Sequence, residues 1–111
     1  MKKILLISIL ALLPAKTILA ANYTVDPSHT YVSFAISHLG FSTMRGKFNQ
    51  QSGSLQFDPS AKKASVMIEI DAASIDTGHE KRDAHMQSPD ILNAVENPTI
   101  TFKSNEITWN G

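Results

Sequence analysis

The chain contains no cysteine. That single absence excludes a disulfide scaffold, a thiolate zinc site, a cysteine nucleophile and a lipoprotein acyl anchor. It also lacks an excess of charge of either sign, with 10 basic and 10 acidic residues among 111. A nucleic-acid binder needs a basic face, so no nucleic-acid partner is expected. No internal repeat, low-complexity tract or interdomain linker interrupts it, and the length allows one domain. With 42% apolar and 18% charged residues, the composition is that of a globular chain.

What is present first is an export pattern. Met1-Lys2-Lys3 is a basic start, Ile4 to Leu13 is apolar apart from Ser8, and Ile18-Leu19-Ala20-Ala21 supplies small residues for cleavage after Ala20 or Ala21. Ten apolar residues in a helix rise only about 15 Å, half of a bilayer core, so a signal peptide over residues 1–20 is expected rather than a membrane span. Its removal takes away Lys2, Lys3 and Lys16 and no acidic residue. The remaining 21–111 segment is mildly acidic, small for a soluble domain, and without the disulfides that exported domains of this size often use.

The dominant pattern in that segment is alternation with period two. Val32, Phe34, Ile36 and His38 share one face over 31–38. Met44, Gly46 and Phe48, then Leu55 and Phe57, then Ala64, Val66, Ile68 and Ile70, then Ile100 and Phe102 do the same. Each run predicts an antiparallel strand with one apolar and one polar face, and Glu106–Trp109 reads as part of a sixth. Gly40 and Gly53 are placed for bends or bulges, and Asp58-Pro59-Ser60 for a turn. Thr77-Gly78-His79-Glu80 fits a capping box with Thr77 as cap, opening a polar helix through about Gln87. Ser88-Pro89-Asp90 predicts a second helical turn, with Ile91, Leu92 and Val95 on its apolar side. One short polar helix cannot cover the apolar faces of these strands. Eight such strands close into a small barrel, and Asn110-Gly111 is a hairpin-turn dipeptide.

The chemistry-bearing clusters are weak. His79-Glu80-Lys81-Arg82-Asp83 has Asp83 where a zinc helix needs its second histidine, and His85 lies about 600° around the helix from His79. No metal site and no cofactor are expected. A serine triad with Asp76, Asp83 and His85 lacks a nucleophile elbow. Glu69 and Asp71 lie on a strand's polar face, which means solvent exposure. Asn22-Tyr23-Thr24 matches a glycosylation acceptor, relevant only in a eukaryotic secretory route. His38 has two readings: a hydrogen-bonded rim residue, or a polar contact to a ligand head group at the mouth of an apolar lumen. Phe34, Phe41, Phe48, Phe57 and Phe102 either fill that lumen or line it.

The stretch from His29 to Ser42, His-Thr-Tyr-Val-Ser-Phe-Ala-Ile-Ser-His-Leu-Gly-Phe-Ser, with the following Arg45-Gly46-Lys47-Phe48, resembles the opening motif of the YceI-like family. A second block resembles it too: Ser74-Ile75-Asp76-Thr77-Gly78, Arg82-Asp83-Ala84-His85-Met86, Ser88-Pro89-Asp90, and Asn97-Pro98 through Phe102-Lys103-Ser104. The family is similar to lipocalins. The resemblance implies an all-β, antiparallel, eight-stranded barrel with a short helical segment. It implies binding of long isoprenoid chains, polyprenyl or quinone-like, in the lumen of a periplasmic protein. It also implies a domain longer than 91 residues, of which 21–111 would be the N-terminal part; made alone, that part is expected to aggregate through its unpaired last strand.

On this reading the protein binds, sequesters or transports lipid and is not an enzyme. Val32, Phe34, Ile36, His38, Phe41, Phe48, Val66, Ile68, Ile70 and Phe102 would contact the lipid. His38, Arg82, Asp83 and His85 are candidates for the head group or entrance. Transient membrane contact is the expected partner interaction beyond the lipid itself. The alternatives are a secreted hydrolase or metal-dependent enzyme using His79, Asp83 and His85, or a stress-related barrel with a filled core.

Overall fold

The structure is a computed structural model and describes residues 19–110; the expected export segment lies outside them except for Leu19 and Ala20. Seven strands form in chain order: β1 (Ala21–Thr24), β2 (Val32–His38), β3 (Ser42–Phe48), β4 (Gln51–Asp58), β5 (Lys63–Asp71), β6 (Ile75–Asp76) and β7 (Thr99–Lys103). A one-turn 3-10 helix (Ala72–Ser74) joins β5 to β6, and one α-helix, α1 (Glu80–Gln87), follows. The strands make two antiparallel sheets, ordered β1-β4-β5-β7 and β2-β3-β6. Among the described residues these sheets do not close into a barrel.

Register turns the sequence alternation into continuous faces, because residues directly opposite in an antiparallel pair project from the same side. In the four-stranded sheet, Leu55 pairs with Val66, Ile68 with Phe102, and Ile70 with Ile100. Tyr23 of β1 joins that face opposite Leu55. In the other sheet Val32 pairs with Phe48, Phe34 with Gly46 and Ile36 with Met44. The Phe34 and Phe48 rings lie 5.7 Å apart, tilted at 52°, within the favourable range for aromatic pairs.

The chain crosses between sheets at a corner where the tightest packing occurs. The Asn49 N–H donates to Ser74 O (2.9 Å) and the Asp71 N–H to Gln50 O (3.0 Å). The Ala72 N–H reaches Pro98 O at 2.9 Å, tying the start of β7 to the same place. The buried apolar residues, Ile70, Ala72, Ile75 and Ala94, belong to this corner or the loop beside it. Away from it the apolar faces are only half covered.

Several local expectations need correcting. The α1 cap is His79, whose Nδ1 accepts from the Arg82 N–H, not Thr77. Thr77 is taken instead by a stronger acceptor: both its N–H (2.8 Å) and its hydroxyl (2.5 Å) donate to Asp83 Oδ1. Ser88 ends α1 rather than opening another helix, and residues 89–96 form turns, anchored by Asn93 at φ 47°. Glu106–Trp109 forms no strand; Trp109 stacks on Phe57 at 5.4 Å instead. Gly53 makes no bend. It lies in regular β4 opposite Ile68, where the backbone of β5 comes too close for a side chain.

Gly40 does serve the β2–β3 turn, at φ 72°, with Leu39 beside it at φ 53°. The left-handed region is unfavourable for a leucine, and Leu39 is 78% exposed, so packing gives little in return. Leu39→Asn is expected to raise stability by about 1 kcal/mol, read as a higher denaturant midpoint with an unchanged slope. An unchanged or lower midpoint would show that the Leu39 side chain has a folding role.

Candidate functional site

The two apolar faces are the candidate site. Of the residues expected to contact lipid, Val66, Ile68, Ile70 and Phe102 lie together on the four-stranded sheet, while Val32, Phe34, Ile36 and Phe48 lie together on the other. Phe41 stands apart: it lies in the β2–β3 turn, 95% exposed, and lines neither face. At the β4–β5 end of the larger sheet a concavity of about 580 Å³ is lined by Ala21, Phe57, Ala64 and Ile107, with Lys62 and Lys63 at its rim. That volume falls within the range of small-molecule sites. Ile107 escaped the sequence reading because it lies in a segment without strand pairing, so alternation says nothing about its direction.

The polar candidates do not converge. His38 ends β2 opposite Ser42, whereas β6, from which the chain leads to α1, pairs with β3 at Lys47 and Phe48. Five to six strand residues separate the two places along β3, about 20 Å. Arg82 and Asp83 spend their polar groups on Thr77. The Arg82 Nε–H donates to Thr77 Oγ1 (2.8 Å) and an Nη2–H to Thr77 O (2.7 Å), so that threonine is clamped between a cation and a carboxylate. His85 is exposed in the last turn of α1. Asp83→Ala leaves two Thr77 donors without their acceptor, so a loss of about 1–2 kcal/mol is expected in denaturant unfolding, with a smaller loss for Asp83→Asn. A variant of unchanged stability would free Asp83 for a head-group role.

Gln51 was missed by the sequence reading. It opens β4 in register with Gly53, Leu55 and Phe57, so its amide lies on the apolar face, and it is 9% exposed. Nε2 donates to Thr30 O (2.5 Å) and Pro27 O (3.3 Å), fixing the β1–β2 turn against the sheet. Both partners are carbonyls, so the amide cannot flip. A polar residue in phase with an apolar run was the readable mark. The same turn is tied internally by Asp26, whose carboxylate accepts from the Ser28 N–H (2.9 Å) and hydroxyl (2.6 Å) and contacts His29 Nδ1 (2.7 Å). These bonds, Ser28's first, hold the Asp26 carboxyl below the usual carboxylate range.

Asp76 is held low as well, chiefly by the Asn49 side-chain amide at 3.1 Å, then by the Gly78 N–H at 2.9 Å, with Lys47 nearby. A carboxyl depressed in the folded state stabilises fully above its unfolded pKa and loses that contribution as pH falls through the folded value. Asp76→Asn is therefore expected to flatten the acid limb of the stability–pH curve, measured by thermal melts below pH 5. An acid limb identical to that of the parent would remove Asp76 from the linkage. No group of three or more His, Cys, Asp or Glu residues placed to hold a metal occurs among the described residues.

These features define a class: an all-β chain of antiparallel sheets with an extended apolar face and a minor helix. The chain belongs to the YceI-like family, whose domain matches residues 23–110. UPF0312 proteins of Pseudomonas aeruginosa and Azotobacter vinelandii are 44% and 41% identical to it over 106 and 104 residues, in each case 91% of this chain and 54% of the relative. Crystal structures of Burkholderia cenocepacia BcnA and a Campylobacter jejuni YceI protein resemble it at TM-scores of 0.70 and 0.55, with 31% and 35% identity. Those matches cover 78% and 76% of this chain and 55% and 50% of the solved chains. The chain thus spans about half the length of the relatives it matches.

Proposed function

We propose that this chain supplies the apolar walls of a pocket that binds long isoprenoid lipids, polyprenyl or quinone-like, and sequesters or carries them in the periplasm. The carrying observation is the pair of continuous apolar faces that strand register builds, one on each sheet. Ile36 pairs with Met44 and Phe102 with Ile68, so large apolar side chains follow one another across each sheet. An alkyl ligand laid against these faces gains about 0.8 kcal/mol for each methylene taken from water. The completed lumen is proposed as a lipocalin-like barrel of eight strands. In this reading the protein acts without a cofactor and without catalysis, and its partners are the lipid and, transiently, a membrane. The enzymatic alternative has less support, because Asp83 is engaged by Thr77 and His79 by the helix cap.

The test is solvent extraction of the complete protein purified from its own cells, followed by mass spectrometry. A prenyl lipid in near-stoichiometric amount is expected. Extracts without prenyl lipid, together with a crystallographic lumen filled by side chains, would overturn the proposal in favour of a filled barrel.

A further inference from the structure

The β2–β3 hairpin carries two bulky apolar side chains into solvent at its tip, Leu39 at 78% and Phe41 at 95% exposure. They lie beyond the last cross-strand pair, His38 with Ser42. Leu39 keeps its place despite a left-handed φ of 53°, where asparagine or glycine is the natural choice.

Charge is the second, independent observation. Residues 27–57 contain no acidic residue, although the chain has ten: one is Asp26 and the other nine begin at Asp58. Within that stretch Arg45 is exposed on the face of β3 opposite to Met44 and Phe48, while Lys47 lies farther from the tip, in register with Asp76 of β6. Arg45 is opposite Ala35, about 10 Å from the turn. Away from its β6 end the hairpin thus carries Arg45 and no acidic residue, in a chain that is otherwise acidic beyond its first 20 residues. Apolar side chains at a tip with basic charge just behind them match the layering of an anionic bilayer, acyl chains below and phosphates above. A three-residue tip is too small to supply the area of a stable protein interface.

We propose that the Leu39–Phe41 tip docks on the surface of an anionic phospholipid bilayer, with Arg45 facing the head groups. This goes beyond the lumenal reading and can fail separately from it, because docking is measured at the tip whether or not the pocket holds lipid.

The absence of cysteine makes a single-site probe clean. Bimane would be attached at the tip through Ser42→Cys and, as a control, in the β4–β5 turn through Ala61→Cys, both in the full chain. Vesicles would contain equal parts of phosphatidylcholine and phosphatidylglycerol, with a spin-labelled lipid as quencher. Quenching is expected at position 42 and not at 61, and it should weaken in high salt and on vesicles of phosphatidylcholine alone. Combining Leu39→Asn with Phe41→Ser should weaken quenching at 42 about tenfold, as expected for loss of the apolar contact. Leu39→Asn relieves backbone strain, so this variant is expected to fold. No quenching at 42, equal quenching at both sites, or quenching unaffected by the double substitution would overturn the proposal. So would a concentration-dependent bimane shift without vesicles, which would assign the tip to a second copy of the chain.

Discussion

Gly53→Ala is expected to destabilise the chain by about 2–3 kcal/mol, read as a drop in the denaturant midpoint. A Cβ at this position would collide with Met67 O and stand 2.7 Å from Ile68 Cδ1 and 3.2 Å from Val25 Cγ2. The first of these atoms is backbone, held in the β4–β5 ladder, so β4 and β5 would have to separate or shift. Gly46→Ala offers the contrast. Its Cβ would first meet the Phe34 ring, the end of a side chain that can rotate aside. A cost of about 1 kcal/mol is expected there, because overpacking against a movable neighbour relaxes. In both cases alanine recovers part of the loss by restricting the unfolded chain. Equal midpoints for the two variants would show that the β4–β5 approach is looser than the structure gives, and a stabilised Gly53→Ala would reverse the argument.

The physics of this position also explains why the sequence reading misplaced it. An isolated glycine in a strand is compatible with a bend, a bulge or a close approach, and only the partner strand decides. Alternation located β2, β3, β4, β5 and β7 because each carries one apolar face, and a one-residue slip would turn that face to the other side. Ala21–Thr24 escaped because four mixed residues carry no period, and Ile75–Asp76 because two residues cannot show one. The division into two sheets was not legible at all. β1 pairs with β4 across the whole β2–β3 hairpin, a contact that no local pattern encodes. At the site, the apolar faces were readable and the polar groups were not. Thr77 satisfies the capping rule, yet Asp83, six residues on, offers a charged acceptor that local spacing rules do not count. Phe41 follows the aromatic pattern but falls in the turn, where the period-two argument stops.

Phe102→Asp is expected to lower the retention of isoprenoid lipid by about 100-fold or more while leaving the fold in place. Among the described residues the Phe102 side chain is 56% exposed and lies on β7, the last strand of the four-stranded sheet. A stability change of about 1 kcal/mol is expected from the lost partial burial. With an alkyl chain lying across Ile68 and Phe102, the balance is different. The ligand loses the contact of one aromatic ring, about 1.5–3 kcal/mol, and must also strip water from a carboxylate that it cannot hydrogen-bond. Met67→Asp is the matched control. Met67 is the chain neighbour of Ile68 but pairs with Ser54 and Lys103 on the opposite, polar face, at 38% exposure. A charge there adds a carboxylate beside Lys103 and leaves the apolar face untouched. Lipid extracted from the two variants and the parent, normalised to protein and compared with their melting temperatures, separates the outcomes. Loss of lipid with Phe102→Asp alone places the ligand on the inner face. Equal recovery from all three would mean that the half-exposed apolar side chains are covered by something other than lipid. Loss from both variants, with both melting lower, would mean that the sheet itself is too weakly held to bear a charge on either side.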